Sequence, residues 1–257
     1  MSELHIRHFA GDPDRPALAL HCMMGTGAYW GPVARKMNGV VDLRAPDMFG
    51  HGRSPAWQPS GVDYHTQFTR SVAALIDRPL DLVGHSFGAT VALRIAVGAP
   101  HAVRSLTLIE PVLFAAAPDP EQDRLFARMA AAFDAGDPRQ ATAEFLAVWG
   151  LKDEGGSAPP LDSFVRQIDI VVDTNDTLAN DRPAILREGG IEGIDAPVMI
   201  INGADSPTAV SSIAEALAAR MQDVGIATVP DAAHMLPITH PDQVAELIAL
   251  NLARAQS

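Results

Sequence analysis

Short apolar runs alternate along most of the chain with longer stretches whose apolar residues recur every three to four positions, and turn residues separate the two. Residues 4–9 alternate apolar with polar positions and precede Gly11-Asp12-Pro13-Asp14-Arg15-Pro16, the pattern of an edge hairpin that opens a sheet. Residues 17–20 form a short buried strand, and 28–37 a helix beyond the intervening loop. A second strand at 40–43 precedes a helix over 64–76, where Phe68, Val72, Leu75 and Ile76 share one face. Residues 79–83 predict the next strand, followed by a helix that ends near 99 before Pro100, and 103–109 a further strand. Later, strands at 197–201 and 225–229 alternate with helices at 208–221 and 241–254. Alternation at this pitch predicts an α/β protein with a mostly parallel sheet flanked by helices.

Residues 113–187 break the rhythm. Stretches such as 121–135 and 138–149 are rich in Ala, Phe, Leu and charge, with no strand among them. The expected organisation is therefore a core of residues 1–112 and 188–257 with a helical cap, 113–187, inserted between two strands. Within it, 152–160 carries Gly155, Gly156, Pro159 and Pro160 and reads as a flexible joint. Phe114, Phe126, Met129, Phe133, Phe145, Trp149 and Phe164 are candidates for a pocket roof, although helix packing explains such stripes equally well.

Composition narrows the function classes. At 257 residues and 47% hydrophobic, the chain suffices for one large domain. A net charge of −12 argues against binding nucleic acid or an anionic membrane surface. One cysteine, Cys22, permits no intramolecular disulfide. The N-terminal residues lack the apolar core of a secretory signal, and no stretch is apolar enough to span a bilayer, so a cytoplasmic protein with a small-molecule partner is expected. A homodimer stays open.

The candidate chemistry centres on Gly84-His85-Ser86-Phe87-Gly88, set between an apolar run and an alanine-rich helix. Two glycines let the backbone double back around Ser86 and lift its hydroxyl clear of the sheet. The helix behind it offers free N–H groups, of which that of Phe87 is a candidate oxyanion donor. A serine hydroxyl needs a base, and of nine histidines His234 is the best placed, in a small-residue loop between the last strand and the last helix. Asp205, just past a strand, is the preferred partner for His234; Glu110, at the end of an earlier strand, is the rival. Met23 N–H, in the loop after 17–20, is the expected second oxyanion donor. His21 and His51 sit in loops at the same edge, where they are expected to line the site, and His85 is read as structural.

With these residues the chain resembles the α/β-hydrolase superfamily, serine-nucleophile branch. Gly84 to Gly88 is similar to its nucleophile elbow, Gly50-His51-Gly52-Arg53-Ser54 to the loop it carries two elements earlier, and Ser86, Asp205 and His234 follow its order of nucleophile, acid and histidine. The resemblance implies an α/β-hydrolase fold and hydrolysis of a small or medium acyl compound, most simply a carboxylic ester, through an acyl-enzyme, with no metal and no cofactor. Two positions depart from the family's pattern. His21-Cys22 stands where relatives carry His-Gly, and Gly203-Ala204-Asp205 is one residue shorter than Gly-x-x-Asp, which keeps Glu110 open as the acid. Two other functions stay open: a carbon–carbon bond hydrolase for a diketone-like acid, with Arg53, Arg124, Arg128, Arg166 and Arg182 as carboxylate partners, and a non-catalytic ligand-binding homologue.

Overall fold

A computed structural model of the chain describes residues 3–151 and 160–255, so the joint expected at 152–160 falls, apart from Pro160, outside the described residues. Among the described residues, strands β1 (Ile6–Phe9), β2 (Pro16–Leu20), β3 (Asp42–Pro46), β4 (Leu80–His85), β5 (Val103–Ile109), β6 (Val198–Gly203) and β7 (Val224–Val229) form one sheet in the order β1-β3-β2-β4-β5-β6-β7. Strands β2 to β7 pair in parallel. β1 pairs antiparallel with β3, Ile6 opposite Pro46 and Phe9 opposite Leu43. The expected hairpin between the first two strands is therefore not formed. Both edges of β2 are occupied by β3 and β4, which leaves β1 only the outer edge of β3.

Period-two alternation sorts the strand residues onto two faces. Leu18, Leu20, Leu82, Leu106, Leu108 and Ile200 enter one buried cluster. Ala17, Ala19, Val83, Ile109, Met199 and Ile201 enter the other. Helices α1 (Gly31–Met37) and α9 (Pro241–Arg254) cover the second face through Val33, Met37, Val244, Ile248 and Leu252. α2 (Tyr64–Ala73), α3 (Phe87–Gly98) and α7 (Thr208–Ala218) cover the first through Phe68, Val72, Leu93, Val210 and Ile213. Helices α4 (Pro120–Asp134), α5 (Pro138–Trp149) and α6 (Ile168–Ala179) all fall between β5 and β6 in the chain, and Leu125, Met129, Trp149 and Ile170 join the core on the α3 side. A four-residue helix, α8 (Leu236–Thr239), precedes α9.

Two boundaries differ from expectation. The helix read at 28–37 starts with a 3₁₀ turn at Gly27–Trp30, and α1 begins at Gly31 with Pro32 in its first turn, where a missing N–H costs nothing. The strand read at 40–43 begins only at Asp42, because Asn38 and Gly39 are both left-handed and turn the chain late.

Because β2 to β7 are parallel, the loops that follow them open on one edge of the sheet, where ligands bind in such folds. Helix α3 lies tight against that edge. A Cβ on Gly88 would overlap the Leu20 carbonyl oxygen and lie 2.6 Å from that of His21, and one on Gly84 would lie 2.6 Å from the Ala89 Cα. Every atom met is backbone, which cannot step aside as a side chain would. We expect Gly88→Ala to push β2 and α3 apart and cost about 1–3 kcal/mol or more, read as a lower urea midpoint; an unchanged midpoint would contradict this packing.

Candidate active site

Ser86 occupies the turn between β4 and α3 with φ 57° and ψ −119°, a conformation that L-residues rarely adopt. It is held there from both sides: Ser86 N–H donates to the Ile109 carbonyl of β5 (2.9 Å), and its own carbonyl accepts from Ala89 N–H (3.0 Å). Phe87 opens α3, so its N–H lies in the turn where a helix has no internal acceptor to offer. Ser86, Met23 and His234 all border one cavity of about 380 Å³.

His234 is oriented by Glu110. His234 Nδ1 donates to Glu110 Oε2 at 2.9 Å, with both side chains buried, so the neutral ring carries its proton on Nδ1 and keeps Nε2 as acceptor. The other carboxylate oxygen, Oε1, accepts from Gly203 N–H (2.6 Å) and Ser206 Oγ–H (2.8 Å). Glu110 itself has φ 50°, and its N–H donates to Ile201 of β6. Asp205, the preferred acid from sequence, is exposed. The correction has a backbone cause. Ala204 N–H donates to the Val229 carbonyl and Asp205 N–H to that of Ala232, which pins the short turn and aims Gly203 N–H and Ser206 at Glu110 while the Asp205 side chain faces solvent. The aspartate one residue short of Gly-x-x-Asp does not reach His234.

A second layer fixes the loop that carries His234. His85 Nε2 donates to the His234 carbonyl (2.9 Å), and its Nδ1 accepts from Tyr29 Oη–H (2.9 Å), whose ring stacks on it at 4°. Burial drives His85 well below, and Tyr29 well above, their ordinary pKa values, so both stay neutral. His85 is thus structural in the sense expected, and it ties the turn at Ser86 to the loop carrying His234. Trp149 of α5 stands edge-on to the His234 ring with centroids 4.7 Å apart. No sequence signal marked Tyr29 for its position.

His21 and His51 do not border the cavity; both are buried and cross-link two loops. His21 Nδ1 donates to the Cys22 carbonyl (2.7 Å) and Nε2 accepts from Met48 N–H (3.0 Å). His51 Nδ1 donates to the Phe49 carbonyl (2.9 Å) and Nε2 accepts from Met24 N–H (3.0 Å). The loop carrying Met23 is therefore held to the loop after β3 by a reciprocal pair of imidazoles. Asp47 adds a third tie, accepting from Gly27 N–H (2.6 Å) and Arg53 N–H (2.8 Å). Burial opposes its charge, but these N–H donors prevail and hold its pKa below the ordinary carboxylate value. Cys22, beside them, is kept a thiol by burial, which pushes it up to about 12.

Of the roof candidates, Phe145, Trp149 and Phe164 border the large cavity, and Phe114 and Phe126 join Phe145 and Trp149 around a smaller one of about 30 Å³ that also touches Ser86. Met129 is core, and Phe133 is exposed. None of the five arginines considered as carboxylate partners is among the described residues bordering either cavity. No three His, Cys, Asp or Glu side chains among the described residues are grouped to hold a metal ion, and no helix there is long and apolar enough to cross a membrane.

Comparison with known proteins agrees with this architecture. The profile described as the Alpha/beta hydrolase family matches residues 17–247. A pimeloyl-acyl-carrier-protein methyl ester esterase of Aromatoleum aromaticum is 30% identical over 91% of this chain and 97% of that protein. Lipase LipV of Mycobacterium tuberculosis is 33% identical over 55% of this chain, and the match spans about half of the lipase, 54%. Among solved structures, MGS-M2, an alpha/beta hydrolase enzyme from a Medee basin deep-sea metagenome library, shares the fold with a TM-score of 0.77 at 15% identity, over 97% of this chain and 94% of that one.

The buried imidazoles predict a specific acid sensitivity. Burial lowers His21 and His65 to about 3 and His51 to about 4, with further lowering of His21 by His51 and of His65 by Arg94. In the unfolded chain each ring takes up its proton near pH 6.5, so below that value the unfolded state binds more protons than the folded one. Stability present above pH 6.5 is thus lost as the pH falls toward 4, by about 1.4 kcal/mol per ring for each pH unit. With His85, which burial also keeps neutral, four rings should make urea titrations at pH 7.5 and 5.5 differ by about 5 kcal/mol, and His65→Gln should remove about a quarter of that difference. A pH-independent midpoint would contradict neutral rings.

Proposed function

The chain belongs to the alpha/beta hydrolase family as an ester-hydrolase-like enzyme, and we propose that it cleaves a carboxylic ester of small or medium size through a triad of Ser86, His234 and Glu110. The single observation that supports this reading is the convergence of Ser86 and His234 on one cavity with Glu110 holding His234 Nδ1. Ser86 Oγ attacks the ester carbonyl while His234 Nε2 takes its proton. The tetrahedral oxyanion lies against the N–H groups of Phe87 and Met23. The carbon–oxygen bond to the alcohol then breaks, and His234 returns the proton to the leaving oxygen. Water, deprotonated by the same ring, attacks the acyl-enzyme and releases the acid. Glu110, hydrogen-bonded to Nδ1, stabilises the imidazolium.

In this scheme α4, α5 and α6 act as the cap, in which α5 supplies Phe145 and Trp149, and the turn before α6 supplies Phe164, to the apolar wall. The carbon–carbon bond alternative needs a cation to bind the substrate carboxylate, and the wall has no arginine among its described residues.

Ser86→Ala should abolish turnover of p-nitrophenyl acetate and labelling by a fluorophosphonate while leaving the melting temperature within a few degrees. Glu110→Gln distinguishes the acid. Its carbonyl would keep the donors from Gly203 and Ser206, turning an NH₂ toward His234 and forcing the ring proton onto Nε2, the wrong nitrogen. We expect kcat to fall by about 10³- to 10⁴-fold, whereas Asp205→Asn, at an exposed position, leaves it within twofold. The reverse ranking would return the role to Asp205.

A further inference from the structure

Ser86 stands between two spaces of very different size, and His234 borders only one of them. The larger, about 380 Å³, is lined by Met24, Tyr29, Leu161, Phe164, Met235 and Ile238 together with His234. The smaller, about 30 Å³, also touches Ser86, shares Phe145 and Trp149 with the larger, and is bordered further by Val112, Phe114, Phe126, Val171, Thr174 and Leu178. Met23 borders both, and Phe87 only the smaller. The larger volume falls within the range of ordinary small-molecule pockets, whereas the smaller is roughly two to three times what one water requires.

Proton transfer decides which half of an ester enters which space. The leaving oxygen receives its proton from His234, so the alcohol must lie on the side that His234 borders. The acyl group, bonded to the carbonyl carbon on Ser86, then points away from the ring and past Phe87, into the smaller space. From this geometry we infer that the enzyme is selective for short acyl groups, acetyl or propionyl, carried on an apolar alcohol of medium size. The inference rests on the serine-hydrolase reading above and assigns the two sides of that site.

Thr174 does not turn the small space into a polar one, because its hydroxyl donates to the carbonyl of Ile170 within α6 (2.8 Å). Asn175 also borders this space, the rest of its lining is aromatic and aliphatic, and about 30 Å³ leaves room for only a short chain. Crowding one methylene too many into such a pocket is worth about 10- to 200-fold in kcat/KM.

The test is a matrix of aliphatic esters, acyl chains of two to eight carbons crossed with alcohols of one to eight, with acid release followed at constant pH. Hexyl acetate should exceed its isomer methyl heptanoate in kcat/KM by at least about tenfold. Phe126→Ala should raise kcat/KM for methyl heptanoate relative to hexyl acetate, and Val171→Ala, a smaller truncation, should move the ratio in the same direction should the first fail to fold. Phe164→Ala, on the other wall, should alter only the alcohol preference. Methyl heptanoate cleaved faster than hexyl acetate would overturn the side assignment and leave a Ser86 hydrolase in place. Absence of ester cleavage together with an unlabelled Ser86 would instead reject the serine-hydrolase reading itself.

Discussion

The architecture of the site depends on how closely the backbone of α3 approaches the end of β2. With no side chain at Gly88, the first turn of the helix presses on the carbonyls of Leu20 and His21. The chain between β4 and α3 then has room for a single residue, and that residue, Ser86, is driven to positive φ. Backbone strain of this kind, on the order of 1–3 kcal/mol, persists only where surrounding structure over-determines it. Here the surroundings do so: the Ser86 amide is fixed to β5, and α3 is buried along nearly its whole length.

Around that point the polar groups form a continuous set. Glu110 orients His234, His85 carries the carbonyl of His234, and Tyr29 completes His85. On the other flank, His21 and His51 exchange acceptors for the amides of Met48 and Met24. Each imidazole in this set uses both ring nitrogens except His234, whose Nε2 has no protein partner among the described residues. A ring with one nitrogen uncommitted is what a proton carrier requires.

The tight turn at Ser86, the loop carrying His234 and the alternation of strands and helices were legible in the sequence because each is written locally, in residues within one turn of each other. The acid was not. Asp205 and Glu110 both follow a strand, and which one reaches His234 is settled by two amide bonds from Ala204 and Asp205 to the chain beyond β6. The roles of His21 and His51 were hidden for a similar reason, since each binds a residue on the neighbouring strand's loop. β1 was misplaced because strand order is a property of the sheet and leaves no mark on a single strand. The two unequal spaces around Ser86 depend on how α4, α5 and α6 pack, and a stripe of aromatic residues carries no record of which side of the serine it closes.

Placing the carboxylate at the end of β5 frees the turn after β6 from most of its chemical duty. Only the Gly203 amide and the Ser206 hydroxyl serve Glu110 there, and Ala204 and Asp205 project into water. The molecule thus carries an exposed handle next to the residues that hold Glu110, where a dye, a tether to a solid support or a grafted peptide can be attached at positions that do not line the cavity.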